Sequence, residues 1–433
     1  MAAPVSRLVR ALGAFTASGL LTSIGCTSDG EKTPGTGGAN ATGGASATGG
    51  TSATGGTSAT GGTTAEGGAT AEGGATAEGG NSGTSMGGAS GDSSAGDTGS
   101  PPGGSGGSGG AGNGGSATAG SGGGPAGALS LYFVDTEGGQ ATVMRLPDGQ
   151  VFIVDTGNPG ARDGDRIQAV LRDELGATSV DYLLTTHYHA DHVGGATYLH
   201  DRTPVRNFLD HGDEEAPSSY LAIANAATRR VIEAGDTLDT GGVHFDFVCS
   251  AGELVTAPFP GGAANSYCSG VAQKGESDEN ENSVGFILRF GSFDFVDLGD
   301  LLWDWELRLA CPTNLLGTVD LYLTTHHGLT RSGAPPLVRA IEPLAAIMNN
   351  GPRKGGGDST WTTLAQAPGA MNVWQLHQAL AAPASENAPA EQIANLTEGA
   401  SDAGYFLEIA VTSSGAFTIR NPRTSVSRTY QSR

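Results

Sequence analysis

The sequence predicts an α/β domain of two mixed sheets packed face to face with helices outside, over residues 129–433. Two observations carry this. Short β-type runs bounded by turn residues alternate with stretches whose apolar residues recur at helical spacing, and the order meander, strand, helix occurs twice. Residues 27–128, by contrast, hold almost no large apolar side chain, so the folded part begins near Leu129.

Taken in order, Leu131–Val134, Ala141–Leu146 and Val151–Val154 read as an antiparallel meander, separated by Asp135-Thr-Glu-Gly-Gly139 and the turn Pro147-Asp-Gly149. Asp165–Leu175 has helical periodicity and leads to the apolar strand Asp181–Thr186. A helical stretch near Ala196–Leu199, the strand Val205–Leu209 and a helix near Tyr220–Ile232 come next. The theme then repeats. Val284–Phe290 and Phe293–Leu298 form a hairpin, succeeded by a helix at Trp303–Leu309, a strand at Val319–Leu323, a helix at Pro336–Ile341 and a strand at Ala345–Met348. Phe406–Val411 and Ala416–Ile419 close the chain as a hairpin.

Ahead of the domain, Arg7 and Arg10 precede the apolar stretch Ala11–Gly25 and then Cys26. That stretch is short and rich in small residues, which predicts a secretory signal over 1–26 rather than a membrane span. Gly25-Cys26 resembles a bacterial lipobox, although Ser23 stands where Leu is usual. The resemblance implies lipidation at Cys26 and a membrane-anchored protein facing the periplasm or cell exterior, with plain secretion as the alternative. Residues 27–128 are dominated by Gly, Ser, Thr and Ala, and a six-residue repeat runs from Thr42. Nothing there offsets the entropy of ordering, so a flexible tether is predicted. Glycine does not recur every third residue, which excludes a collagen helix.

An exported domain can form disulfides. Cys249 and Cys268 flank a Gly/Pro-rich loop and are the expected pair, while Cys311 reads as a buried helix-end residue. None has the spacing of a cysteine-based zinc site. A net charge of −22 without a Lys/Arg cluster argues against a stable nucleic-acid partner. A small phosphoester survives this test, because a bound metal can supply local positive charge.

The chemistry concentrates in Thr185-Thr-His187-Tyr-His189-Ala-Asp191-His192, where three imidazoles and a carboxylate fall within six residues just past an apolar strand. Those are ligand types that suit zinc and similar divalent ions, and strand ends are where α/β folds place their chemistry. The pattern is that of the metallo-β-lactamase superfamily, and further motifs resemble it: Asp155-Thr-Gly157, Gly299-Asp300-Leu301 and Thr325-His326-His327-Gly328. The resemblance implies the four-layer αββα sandwich of that fold. It also implies two metal ions, most readily Zn²⁺. One would take His187 and His189, the other Asp191 and His192, with Asp300 bridging in preference to Asp297, and His327 as the last ligand. Asp155 would orient a ligand histidine, a role with physical sense because a ligating imidazole needs its other N–H fixed. His326 would be the proton donor, although the order of His326 and His327 stays open. The family's middle histidine has no obvious counterpart. His211 is the candidate ligand or substrate contact, whereas His244 and His377 read as structural, and Asn350 of Asn349-Asn350-Gly351 could contact substrate or simply form a turn.

Asn282-Ser283, Gly299-Asp300-Leu301 and His326-His327-Gly328 resemble the metallo-hydrolase domain of competence DNA-uptake proteins (ComEC-like), whose Asp-Val-Gly-Gln-Gly-Asp opening is altered here to Asp135-Thr-Glu-Gly-Gly-Gln140. The resemblance implies a metallohydrolase: two divalent ions lower the pKa of a shared water, Asp191 holds the resulting hydroxide, and His326 protonates the leaving group. The expected substrate is a phosphodiester or related ester. A β-lactam or lactone hydrolase, and a non-catalytic surface binding module stapled by metal, are the alternatives.

Overall fold

The computed structural model describes residues 127–368, 372–399 and 402–433. The expected signal, Cys26 and nearly all of the expected tether lie outside them. β1 (Leu129–Phe133), β2 (Thr142–Arg145) and β3 (Val151–Val154) form the predicted antiparallel meander. Its second turn is closed by Gly149 N donating to Leu146 O at 2.8 Å, with Gly149 at φ 96°. Helix α1 (Ala161–Ala169) starts earlier than the periodicity suggests, because the Asp163 carboxylate accepts Asn158 N at 2.7 Å and fixes the entry turn. A π-turn at Val170–Glu174 ends it before β4 (Val180–Leu184). Then come α2 (Ala190–Val193), α3 (Ala196–Arg202), β5 (Val205–Asp210), α4 (Ser218–Ala224) and β6 (Thr228–Val231). The helix expected over Tyr220–Ile232 therefore stops at Ala224. Its second half is a strand, because Thr228–Val231 pairs in parallel with β5 and Arg229 Nε donates to Asp210 Oδ2 at 2.7 Å.

The second half supplies β7 (Thr237–Thr240), β8 (Val243–Ser250), β9 (Glu253–Leu254), β10 (Ala263–Ala264), β11 (Gly285–Phe290) and β12 (Phe293–Asp297). It continues through α5 (Trp303–Ala310), β13 (Thr313–Asn314), β14 (Leu321–Leu323), α6 (Pro335–Ala340), β15 (Ala345–Met348), α7 (Asp358–Ala365), β16 (Asn372–His377) and β17 (Ile393–Asn395). β18 (Leu407–Val411), β19 (Ala416–Asn421) and β20 (Val426–Gln431) return to the first sheet. Among the described residues that sheet runs β20-β19-β18-β1-β2-β3-β4-β5-β6 and the second runs β17-β16-β15-β14-β12-β11-β8-β7.

Period-two alternation makes the layers. Leu129, Leu131 and Phe133 face Phe245, Phe247, Phe286 and Phe295 in a core between the sheets, while Tyr132 and Val134 turn outward under α1, α3 and α4. Ile287, Val296 and Tyr322 turn outward from the second sheet against α5, α6 and α7. The result is the expected αββα order. Phe152 and Phe245 stack across the inter-sheet core with centroids 4.6 Å apart, and each fully buried ring contributes roughly 1.5–3 kcal/mol.

The expected Cys249 pairing is corrected. Cys249 is fully buried and free, packed so tightly on Gly285 that a Cβ there would lie 2.6 Å from its Sγ. Cys268 instead bonds Cys311 at the end of α5, because Asn265 Nδ2 donates to Ala310 O and Pro336 O and lays the loop on α5 and α6.

Candidate metal centre

β3, β4 and β5 are mutually parallel, as are β12, β14, β15 and β16, and the chemical side chains stand where these strands end. At the end of β3, Asp155 adopts φ 57°. Its Oδ1 accepts Thr186 N at 2.7 Å, and its Oδ2 accepts Thr186 Oγ1 at 2.6 Å and faces His192 Nδ1 at 2.8 Å. With Nδ1 fixed in this way, His192 directs Nε2 inward.

There His192 Nε2 lies 3.2 Å from Asp300 Oδ2, 3.5 Å from Asp191 Oδ2 and 3.2 Å from His327 Nε2. His327 Nε2 lies 3.2 Å from Asp300 Oδ2 and 3.3 Å from Asp191 Oδ2. These four donors lie within 4.8 Å of one another. Beside this group, with its ring centroid 4.1 Å from that of His192, His187 has Nε2 3.9 Å from Asp300 Oδ2 and 3.1 Å from His189 Nδ1. Asp300 Oδ1 is buried without a hydrogen-bond partner. Inward-facing imidazole nitrogens, two carboxylates and an orphaned buried carboxylate oxygen fit a divalent cation, because such groups are otherwise costly to bury.

The electrostatics agree. Burial works to lower His192, but Asp300 and Asp155 outweigh it and raise the imidazole well above its ordinary range. Burial would raise Asp300, yet His192, His327 and His326 hold it well below the usual carboxylate range. Burial, joined by His192, pushes His187 well down. Asp297, the rival to Asp300, is turned away: it accepts Gln140 Nε2 at 2.7 Å and Gly299 N at 2.9 Å, and burial raises it to about 7.

His326 and His327 both have left-handed backbone, φ 56° and 55°, a conformation that is strained for any residue with a Cβ. The glycine loop after β15 holds the turn: Gly356 N donates to His327 O at 3.2 Å, and a Cβ on Gly355 would lie 1.9 Å from that oxygen. His326 Nε2 is 3.4 Å from Asp300 Oδ2 and Nδ1 is 3.2 Å from Ser332 Oγ. Burial lowers His326 to about 4.

Other expected residues lie apart. His211 Nε2 pairs with Glu279 Oε1 at 3.0 Å, and Glu279 Oε1 also accepts Tyr188 N at 2.9 Å, so His211 braces the His187–His189 segment from outside the four-donor group. Asn350 is fully buried and donates to His377 O at 2.8 Å. His244 sits between Asp239 and Asp246. His377 Nε2 lies 3.6 Å from Asp135 and 3.5 Å from Asp402, two carboxylates that already share Arg166. Sequence reasoning missed Lys354, whose ammonium pairs with Asp191 Oδ2. The signal available was the glycine run Gly355-Gly-Gly357 past a buried strand.

Residues 134–272 match the sequence model of the metallo-beta-lactamase superfamily. Hydroxyacylglutathione hydrolase of Xanthomonas campestris pv. campestris strain B100 is 37% identical over 98 residues, 23% of this chain and 32% of that protein. The chain thus spans about a third of the curated relatives it matches. Among solved structures, the diiron beta-hydroxylase CmlA of Streptomyces venezuelae is 18% identical with a TM-score of 0.33, covering 52% of this chain and 44% of that one. The metallo-beta-lactamase fold protein YhfI of Bacillus subtilis is 11% identical with a TM-score of 0.38, covering 57% and 96%.

Proposed function

We propose that this chain, whose residues 134–272 match the metallo-beta-lactamase superfamily model, is a divalent-metal-dependent hydrolase of phosphodiesters or related esters. The observation that carries the reading is the convergence of Asp191, His192, Asp300 and His327 within 4.8 Å, with His187 and His189 beside them. These residues would hold two divalent ions. Bound there, the metal supplies Lewis acidity that lowers the pKa of water and polarises the scissile carbonyl or phosphoryl oxygen. Asp191, partly exposed, orients the attacking water, and Asp155 keeps His192 turned inward. With its ring near 4, His326 is neutral at physiological pH. It can still hydrogen-bond a leaving oxygen through one N–H, while protonating that oxygen requires a proton captured during turnover.

Kinship with the competence-protein branch is part of the proposal. It is supported by Ser283 Oγ, which accepts Asp300 N at 3.2 Å and so ties the Asn-Ser step to the bridging carboxylate. Export and lipid anchoring at Cys26 belong to the same reading; Cys26→Ser is expected to release the chain from membranes, and retention would sink the anchor.

Parallel assays of the zinc-supplemented full chain on bis-p-nitrophenyl phosphate, a chromogenic cephalosporin, a lactone and an acylglutathione test the function. The expected result is phosphodiester turnover abolished by chelator and restored by zinc. Turnover of the cephalosporin alone would overturn the substrate class, and absence of both metal and turnover would favour the binding module.

A further inference from the structure

Lys354 is the charged group at the site to which the hydrolase reading gives no task. It is one of three lysines in a chain of net charge −22, and it reaches the centre from the loop after β15, 163 residues beyond its partner Asp191. Its backbone and Cβ are held in place. Lys354 O accepts Gly351 N at 2.8 Å, and a Cβ on Gly138 would lie 2.9 Å from Lys354 Cβ.

Exposure separates the site into a floor and a mouth. The side chains of His187, His192 and His327 are fully buried and that of Asp300 is 2% exposed, whereas Asp191 is 20% and Lys354 38% exposed. His189 is also half-buried. Among these side chains the ammonium is the most exposed, so it is the charged group that solvent reaches first.

We propose that Lys354 is the anion-binding residue of this site, paired with Asp191 until a divalent cation takes that carboxylate, and then free to bind a negatively charged oxygen of the substrate. This rests on the metallohydrolase reading and narrows its substrate class to esters that carry an anionic oxygen beside the scissile bond. An ammonium at a partly desolvated mouth favours such a group by a charge-assisted hydrogen bond. An ordinary surface ion pair would contribute little and select nothing.

The test uses the full chain with Lys354→Met and Lys354→Arg, reading zinc binding by equilibrium dialysis and inorganic phosphate binding to the zinc-loaded protein by calorimetry. Lys354→Met is expected to bind zinc at least as tightly as wild type, since a competing cation is gone, and to bind phosphate about tenfold more weakly, with Lys354→Arg retaining most of the affinity. The ratio of kcat/KM for bis-p-nitrophenyl phosphate over neutral p-nitrophenyl acetate is expected to fall by about the same factor in Lys354→Met. Unchanged phosphate affinity in Lys354→Met overturns the proposal, as does a loss of zinc binding in that variant, which would make the ion pair structural. Absence of zinc from the wild type overturns the metallohydrolase reading itself, an outcome distinct from zinc binding with no role for the lysine.

Discussion

Asp155 organises the centre without entering the four-donor group. Its carboxylate fixes Thr186 twice and His192 once, from a left-handed backbone. Asp155→Asn retains the size but not the charge, and the account expects zinc affinity to fall by about 10–100-fold in a chelator competition. Unchanged affinity would remove Asp155 from the site. Glu306 gives a second prediction at this scale. It is buried, accepts Ala334 N at 2.8 Å and is raised to about 7 from an ordinary 4.5, with burial the main cause. Between those values the folded state keeps a proton that the unfolded state releases, so stability falls as pH rises through the window. Glu306→Gln is expected to flatten the profile, gaining up to about 3 kcal/mol relative to wild type at pH 8 against pH 4 in denaturant melts. Parallel profiles would contradict it. The His187–His192 run was legible because ligand types crowd one short segment. Lys354 was not, since the glycine run after it marks only a loop past a strand, and a lone lysine has no spacing rule that ties it to the histidines.

At the level of elements, the meander, the hairpin β11–β12 and the strands β14 and β15 were readable from apolar runs and turn residues. What the sequence concealed were choices made by tertiary partners. β6 exists because β5 offers an edge and Asp210 anchors Arg229. The Cys268–Cys311 bond exists because Asn265 lays its loop on α5 and α6, while strand alternation turns Cys249 into the core. This bond spans 43 residues, and a loop of that length implies about 4 kcal/mol in the chain-entropy account. Cys268→Ser is accordingly expected to lower the melting temperature under oxidising conditions and to match wild type in reductant. Equal oxidised melting points would show that the bond adds nothing.

For the whole molecule, two halves each end parallel strands at the centre, and the inter-sheet core of Phe152, Phe245, Phe286 and Phe295 holds those ends in register. That duplication was visible in the order of elements. The convergence of Asp155, His192, Asp300 and His327 was implied only by resemblance, because no local pattern states which loops face each other. Metal stoichiometry of the purified full chain, wild type against Asp300→Asn, decides whether this cluster is a metal centre. About two zinc ions per wild-type chain are expected, and fewer than one in the variant. An equal metal content in the two proteins would contradict it.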